Sequence, residues 1–194
     1  MNGGWLREER LDVAAERILE AAGEVYAKQG IGSTSMADVA RAARCSRATV
    51  YRYFPNRDAL RVAFVHKATR YLGAIAAHEI TEGADPGDAL VNALLMSVRS
   101  IRAQPELAAW FRPADSGSSA QLVTQSSVIE NLVIALLADV GLSDADAVRT
   151  SRFLVRIAIS LLETPGASDE EEREMLDEFL APAIRRRSAY ALIP

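Results

Sequence analysis

A single cysteine stands in this chain of 194 residues, so no disulfide can form within it, and a lone thiol fits a reducing compartment. Cys45 reads as a small residue filling a turn, with no second thiol to resolve an oxidised one. Histidine is almost as scarce. His66 and His78 have neither a second His nor a Cys at ligand spacing, so the sequence offers no zinc site. No Ser-His-Asp or Cys-His arrangement and no phosphate-binding loop is present, which excludes the commoner enzyme readings and implies no cofactor. Long apolar runs are also missing. The longest, 128–140, is interrupted by Glu130, Asn131 and Asp139 and is too short and too polar to cross a bilayer. The opening residues lack the basic-then-apolar pattern of an export signal, so a cytoplasmic protein is expected. Neither strand-like alternation nor an internal repeat stands out.

What the chain does have is helical periodicity and an uneven charge. The apolar share is 49%, ample for a helical core. Residues 1–70 carry a net charge of +4 and residues 71–194 a net charge of −8. Between Arg41 and Lys67 seven basic residues face one acid, Asp58. A basic module at the front of an acidic chain points to a polyanion partner, of which DNA is the commonest.

That basic stretch contains the most specific local pattern, Thr34 to Leu60. Ser35 followed by Asp38 opens a helix in the manner of a capping box, with Met36, Val39, Ala40 and Ala43 on one face. A short turn follows. Ser46 caps a second helix over 47–53, with Val50 and Phe54 inward, and Pro55-Asn56 stops it and caps a third. Two helices joined by three or four residues have helix-turn-helix spacing, and the second helix of such a pair lies in the major groove. Arg47, Ala48, Thr49, Tyr51, Arg52 and Tyr53 then form the outward side. An Arg can read guanine, a Thr methyl can meet a thymine methyl, and Tyr hydroxyls bind phosphate. Ala48 lets the backbone approach the groove, or serves only as a helix former.

The run SMADVARAARCSRATVYRYFPNRDAL resembles the N-terminal DNA-binding motif of the TetR (tetracycline-repressor) family of bacterial transcription regulators. The resemblance is close over residues 21–60 and beyond them extends to length and architecture. It implies an all-α chain of about nine helices, with a helix-turn-helix DNA-binding domain at 1–56 and a ligand-binding and dimerisation domain at 57–194. By position it adds Thr34 and Arg57 as phosphate contacts and Arg44 and Ser46 at the turn. Arg44-Cys45 occupies the place where the family usually has Gly-Val. A non-glycine residue held at positive φ there costs about 1 kcal/mol or more.

Downstream, the pattern predicts a first helix over 11–29 after a frayed tail, with Val13, Ile18, Ala21, Ala22 and Val25 inward and Gly30 as its cap. A long helix is expected over 57–82, a break at Gly83 to Pro86, and a helix capped by Asp85. A short helix over 105–111, a loop over 113–119 and a single helix over 120–140 follow. Ser143 should cap a helix over 144–164, and Ser168 with Glu171 should open the last one, ended or bent at Pro182. The helix from Asp144 is apolar around most of its circumference. It is either a central core helix or one shared between the chain's own core and a second copy. The family resemblance implies the latter, with Val155, Ala158, Leu162, Met175 and Phe179 at a homodimer interface.

The body can also enclose a cavity. Phe64, Thr69, Leu94, Leu95, Val98, Leu107, Trp110, Phe111, Gln125, Ile129, Val133 and Phe153 are candidate lining residues. Each could equally be a packed core residue, and together they imply a small, mostly apolar effector. The acidic run Asp169 to Glu172 opens a helix, where acids suit the dipole, and needs no metal. Arg185 to Arg187 read as a solvated helix end. The expectation is a homodimeric repressor on a near-palindromic double-stranded DNA site, released by that effector. Two rivals are a DNA-binding regulator without a small-molecule ligand and a helical ligand-binding protein that no longer binds DNA.

Overall fold

The computed structural model describes residues 4–80, 85–113, 116–142 and 144–191. The described chain is all helical, with eleven α-helices and one 3-10 turn among those residues. They are α1 (Gly4–Gln29), α2 (Met36–Ala42), α3 (Arg47–Tyr53), α4 (Arg57–Glu79), α5 (Pro86–Ala103), α6 (Pro105–Ala108) followed by the 3-10 turn Ala109–Phe111, α7 (Ser116–Thr124), α8 (Ser127–Asp139), α9 (Asp144–Glu163), α10 (Asp169–Phe179) and α11 (Ala181–Ala191).

Most starts are set by short polar side chains. Ser35 and Asp38 form a full capping box, which holds the Asp38 carboxyl at about 2, chiefly through the Ser35 hydroxyl and N–H. Ser46, Asn56, Asp85 and Ser168 each accept the N–H three residues on. The Glu171 carboxylate does not return to its cap, as a closed box would require, but takes the N–H of Ala167. Gly30 and Gly141, with φ of 81° and 79°, end α1 and α8.

Several elements depart from the sequence pattern. The helix of α1 begins at Gly4, where a frayed tail was expected, and Val13 is exposed instead of inward. The α4 helix ends at Glu79, and residues 83 and 84 of the expected break lie outside the described residues, as does Ser143. Residues 116–119, expected as a loop, open α7. The single helix expected over 120–140 is two, because the Ser126 hydroxyl captures the N–H of Ile129 and starts α8 afresh. The helix from Asp169 does stop ahead of the proline, at Phe179, but a further helix follows that contains Pro182. The proline falls in the first turn of α11, where no backbone N–H is needed, and Ala183 and Ile184 bond back to the Leu180 carbonyl.

Two large clusters fill the interior. The head-side core joins α1, α2, α3 and the first half of α4 to the end of α5, α6 and the 3-10 turn. It therefore runs past residue 56 to Leu60, Phe64, Leu107 and Trp110. The body core joins α5, α8, α9, α10 and α11. The α11 helix lies so close to α5 that a Cβ on Gly87 would sit 2.7 Å from the Ala181 carbonyl oxygen. On α4, Gly73 likewise admits Leu132 of α8, whose methyl would lie 2.7 Å from an added Cβ. Arg185 is not merely solvated, since it grips Asp85 at 2.7 Å and Asp88 at 2.6 Å, and Arg187 donates to the Thr150 hydroxyl at 3.2 Å.

A buried ion pair locks the end of the body. Glu172 is 2% exposed. Arg102 holds it with two hydrogen bonds of 2.9 and 2.6 Å, and also donates to the Leu161 carbonyl at 2.8 Å. The Gly166 N–H donates to the same carboxylate at 2.9 Å. One guanidinium thus ties α5 to the end of α9 and the start of α10. Arg102→Ala leaves a buried carboxylate unpaired and is expected to cost about 3–5 kcal/mol in urea unfolding. The Arg102 hydrogen bonds hold the Glu172 carboxyl below its ordinary range, against the opposing effect of burial. Its contribution is therefore complete above the ordinary glutamate pKa and is lost as pH falls through the folded value. The acid limb of the stability profile should flatten in Glu172→Gln.

Candidate nucleic-acid interface and ligand cavity

The turn between α2 and α3 is a Schellman motif. The Cys45 N–H reaches the Ala40 carbonyl at 3.0 Å and the Arg44 N–H reaches that of Arg41 at 3.2 Å. This pattern places residue 44 in the left-handed region, and Arg44 has φ of 53°. The glycine-like geometry is kept although the residue is arginine. Cys45 follows it and packs against the head-side core, as a small turn residue should.

Val50, wholly buried, and Phe54 anchor α3 in that core. The opposite side of the helix presents Arg47, Ala48, Tyr51 and Arg52 to solvent. Tyr53 is half-buried and carries the Arg52 guanidinium 5.2 Å from its ring centroid. The Ser46 and Thr49 hydroxyls lie 2.9 Å apart and serve the helix cap. Arg44, Arg47 and Arg52 have no ion pair among the described residues, so a cationic surface is left for a polyanion.

Two expected phosphate contacts have other tasks. Thr34 is buried, and its hydroxyl donates to the Gly30 carbonyl at 2.7 Å, so its side chain closes the end of α1 instead of facing outward. Arg57 is exposed at the start of α4, where a cation opposes the helix dipole. It reaches back to the Gly32 carbonyl at 2.7 Å, and Arg61 takes the Ile31 carbonyl at 3.0 Å. The conflict is thus met by loop carbonyls, although the guanidinium has further donors to offer. Tyr26 lies near both arginines, yet burial pushes its hydroxyl up to about 12.

Beyond the head, α4 forms one side of an apolar cavity of about 160 Å³, lined also by α5, α7, α8, α9 and the 3-10 turn. Of the expected lining residues it contains Thr69, Leu94, Phe111, Ile129 and Val133. Others lie elsewhere. Phe64, Leu107 and Trp110 belong to the head-side core, and Leu95 and Val98 to the body core. Gln125 lines a separate polar cleft, and Phe153 is 54% exposed on the outer surface. Val155, Ala158 and Leu162, expected at a dimer interface, line the cavity. Their spacing of three and four residues puts them on one side of α9, with Phe153 on another, and that spacing was the signal to use. The cavity hydroxyls are committed to their own helices, Thr69 to the Val65 carbonyl at 2.8 Å and Ser97 to that of Ala93 at 2.7 Å. Neither offers its proton to a ligand.

Trp110 does not line the cavity. It stacks on Phe64 with centroids 5.7 Å apart, and both rings meet Tyr26 edge-on at 5.8 and 5.2 Å. Its neighbour Phe111 lines the cavity, so adjacent residues touch the head-side core and the ligand space.

Residues 18–64, which include both short helices and the turn, match the family model of bacterial regulatory proteins, tetR family. Over 188 residues the chain is 39% identical to the uncharacterized HTH-type transcriptional regulator Rv1255c of Mycobacterium tuberculosis, covering 96% of this chain and 93% of that one. The chain belongs to the TetR family of bacterial regulatory proteins. The TetR fold extends through the body. The TetR family repressor AlkX from Dietzia superposes with a TM-score of 0.68 at 21% identity, covering 90% of this chain and 96% of that one. RolR in complex with resorcinol superposes with a TM-score of 0.66 at 17% identity, covering 95% and 93%. Within the TetR frame, the departure at Arg44 has a measurable consequence. Arg44→Gly relieves about 1–2 kcal/mol of left-handed strain, less about 0.5–1 kcal/mol of added chain entropy. The variant should match or exceed the wild type by up to about 1.5 kcal/mol in urea unfolding. Clear destabilisation would show that the Arg44 side chain holds the turn.

Proposed function

We propose that the protein is a homodimeric, DNA-binding repressor that leaves its operator when a small molecule enters the body cavity. Residues 1–56 supply the DNA contacts and residues 57–194 the ligand and dimer functions. The observation that carries this reading is the double use of α4. Its first half, through Leu60, Phe64 and Val65, belongs to the core that seats α3. Its second half, through Thr69, Leu72 and Ala76, lines the cavity. A ligand that favours one setting of α4 therefore also favours one placement of α3. Two α3 helices in a dimer must lie about 34–36 Å apart to enter successive major grooves. The effector acts only through its different affinity for the two settings, and DNA weakens effector binding by the same factor.

The dimer face in this reading is the outer side of α9 and α10. Phe153, Met175 and Phe179 are 54%, 42% and 70% exposed there, more than single surface apolar residues need explain. A TetR-fold relative solved with resorcinol supports a body that takes up small molecules. Among the described residues no helix is long and apolar enough to cross a membrane, which accords with a cytoplasmic regulator working on DNA.

The test begins with DNA selected in vitro by the purified protein. A near-palindromic site should emerge, with affinity falling steeply as salt rises. Arg47→Ala should relax base preference by about 1–3 kcal/mol, while Tyr51→Phe should weaken all sequences alike. Retention of full affinity and preference by both variants would remove α3 from the interface. Phe179→Glu should convert the dimer to monomer in sedimentation, whereas a wild type already monomeric at micromolar concentration would end the dimer reading.

A further inference from the structure

Beside the apolar cavity lies a second, polar cleft of about 480 Å³ between the α7–α8 break and α9. Val123, Ile129 and Val155 line both spaces, so the two adjoin along three apolar side chains. The cleft contains two arginines one turn apart on α9, Arg152 and Arg156. They flank the cavity side of the helix, since Val155 and Arg156 are consecutive. Arg152 is paired with Glu130 at 3.2 Å. Arg156 donates one bond of 3.0 Å to the Arg152 carbonyl and has no ion pair among the described residues. A guanidinium carries five N–H donors, so most of its capacity faces the cleft unused. Two of the cleft hydroxyls are committed to their own helices, Thr124 to the Ala120 carbonyl and Ser151 to that of Val148, while Ser126 accepts the Ile129 N–H.

We propose that the effector is an amphipathic carboxylate, with its alkyl chain in the cavity and its carboxylate on Arg156. This rests on the ligand-binding reading above and gives the small, mostly apolar effector a charged end. The size follows from the cavity. An apolar space of about 150 Å³ holds benzene, so 160 Å³ suits a chain of about six carbons. The chain leaves water for a site with no free polar group, and the carboxylate keeps contact with solvent and gains a charge-assisted fork. Both halves of such a molecule find their chemistry where the open cavity and the cleft adjoin along Val123, Ile129 and Val155.

The experiment titrates wild type and Arg156→Gln with butanoate, hexanoate and octanoate and with the alcohols of the same chain lengths. Binding is read by calorimetry and by tryptophan fluorescence, and DNA release by anisotropy. The wild type should prefer hexanoate to hexanol by roughly tenfold or more. Arg156→Gln should bind the two alike while keeping its affinity for hexanol. Glu130→Gln, which frees Arg152, should strengthen hexanoate further. Equal wild-type affinity for acid and alcohol, or an acid preference that survives Arg156→Gln, overturns the proposal. If alcohols bind and release DNA as well as acids, the cavity keeps its function and only the carboxylate assignment falls. If neither series binds, both fall.

Discussion

Phe64 is held between two other rings, and the placement of the head depends on that contact. It stacks on Trp110 and meets Tyr26 edge-on, which brings α4, the 3-10 turn and α1 together at one point. Such aromatic pairs add about 0.5–1.5 kcal/mol each beyond the area they bury. Their greater effect is geometric, because close-packed rings pass on a displacement instead of absorbing it. Gly23 of α1 fits this junction closely, since a Cβ there would lie 3.1 Å from the Phe64 ring. The Tyr26 hydroxyl, buried and pushed up to about 12, stays neutral at any physiological pH. The contact therefore does not change with proton concentration.

The α9 helix is the second organising element, and it serves several sides at once. Ala147, Leu154 and Leu161 face the body core. Val155, Ala158 and Leu162 face the cavity, Arg152 and Arg156 the cleft, and Phe153 the exterior. A helix this apolar has no single inward side. Composition shows that it is covered on several sides, but not which residue meets which neighbour.

That limit explains what could be read from the sequence and what could not. The helix-turn-helix was legible because its determinants are local. Ser35, Ser46 and Asn56 act within three residues of themselves, and the departure at Arg44 marked a position that does adopt positive φ. Non-local assignments fared worse. Thr34 looks outward in sequence but is folded under α1, and Trp110 sits in a ring cluster whose members come from distant helices. The Ser126 break was missed because apolar residues continue on both sides of it, and α11 was missed because a proline that stops one helix also fits the first turn of another. Their signals, a cap residue inside a run and a proline near a possible helix start, are weak unless the packing is known.

The self-bonded hydroxyls of Thr69 and Ser97 bear on how sharply this protein can tell one molecule from another. An apolar wall distinguishes guests by volume alone, and a methylene more or less changes affinity by only about 10- to 200-fold. A site built to hydrogen-bond its ligand rejects an analogue lacking that group far more strongly, because the site's own polar atoms are stranded. With its hydroxyls satisfied internally, the cavity leaves nothing stranded when an unfamiliar hydrocarbon enters. Tolerance toward chain shape is then built into the interior, and fine discrimination must come from the rim.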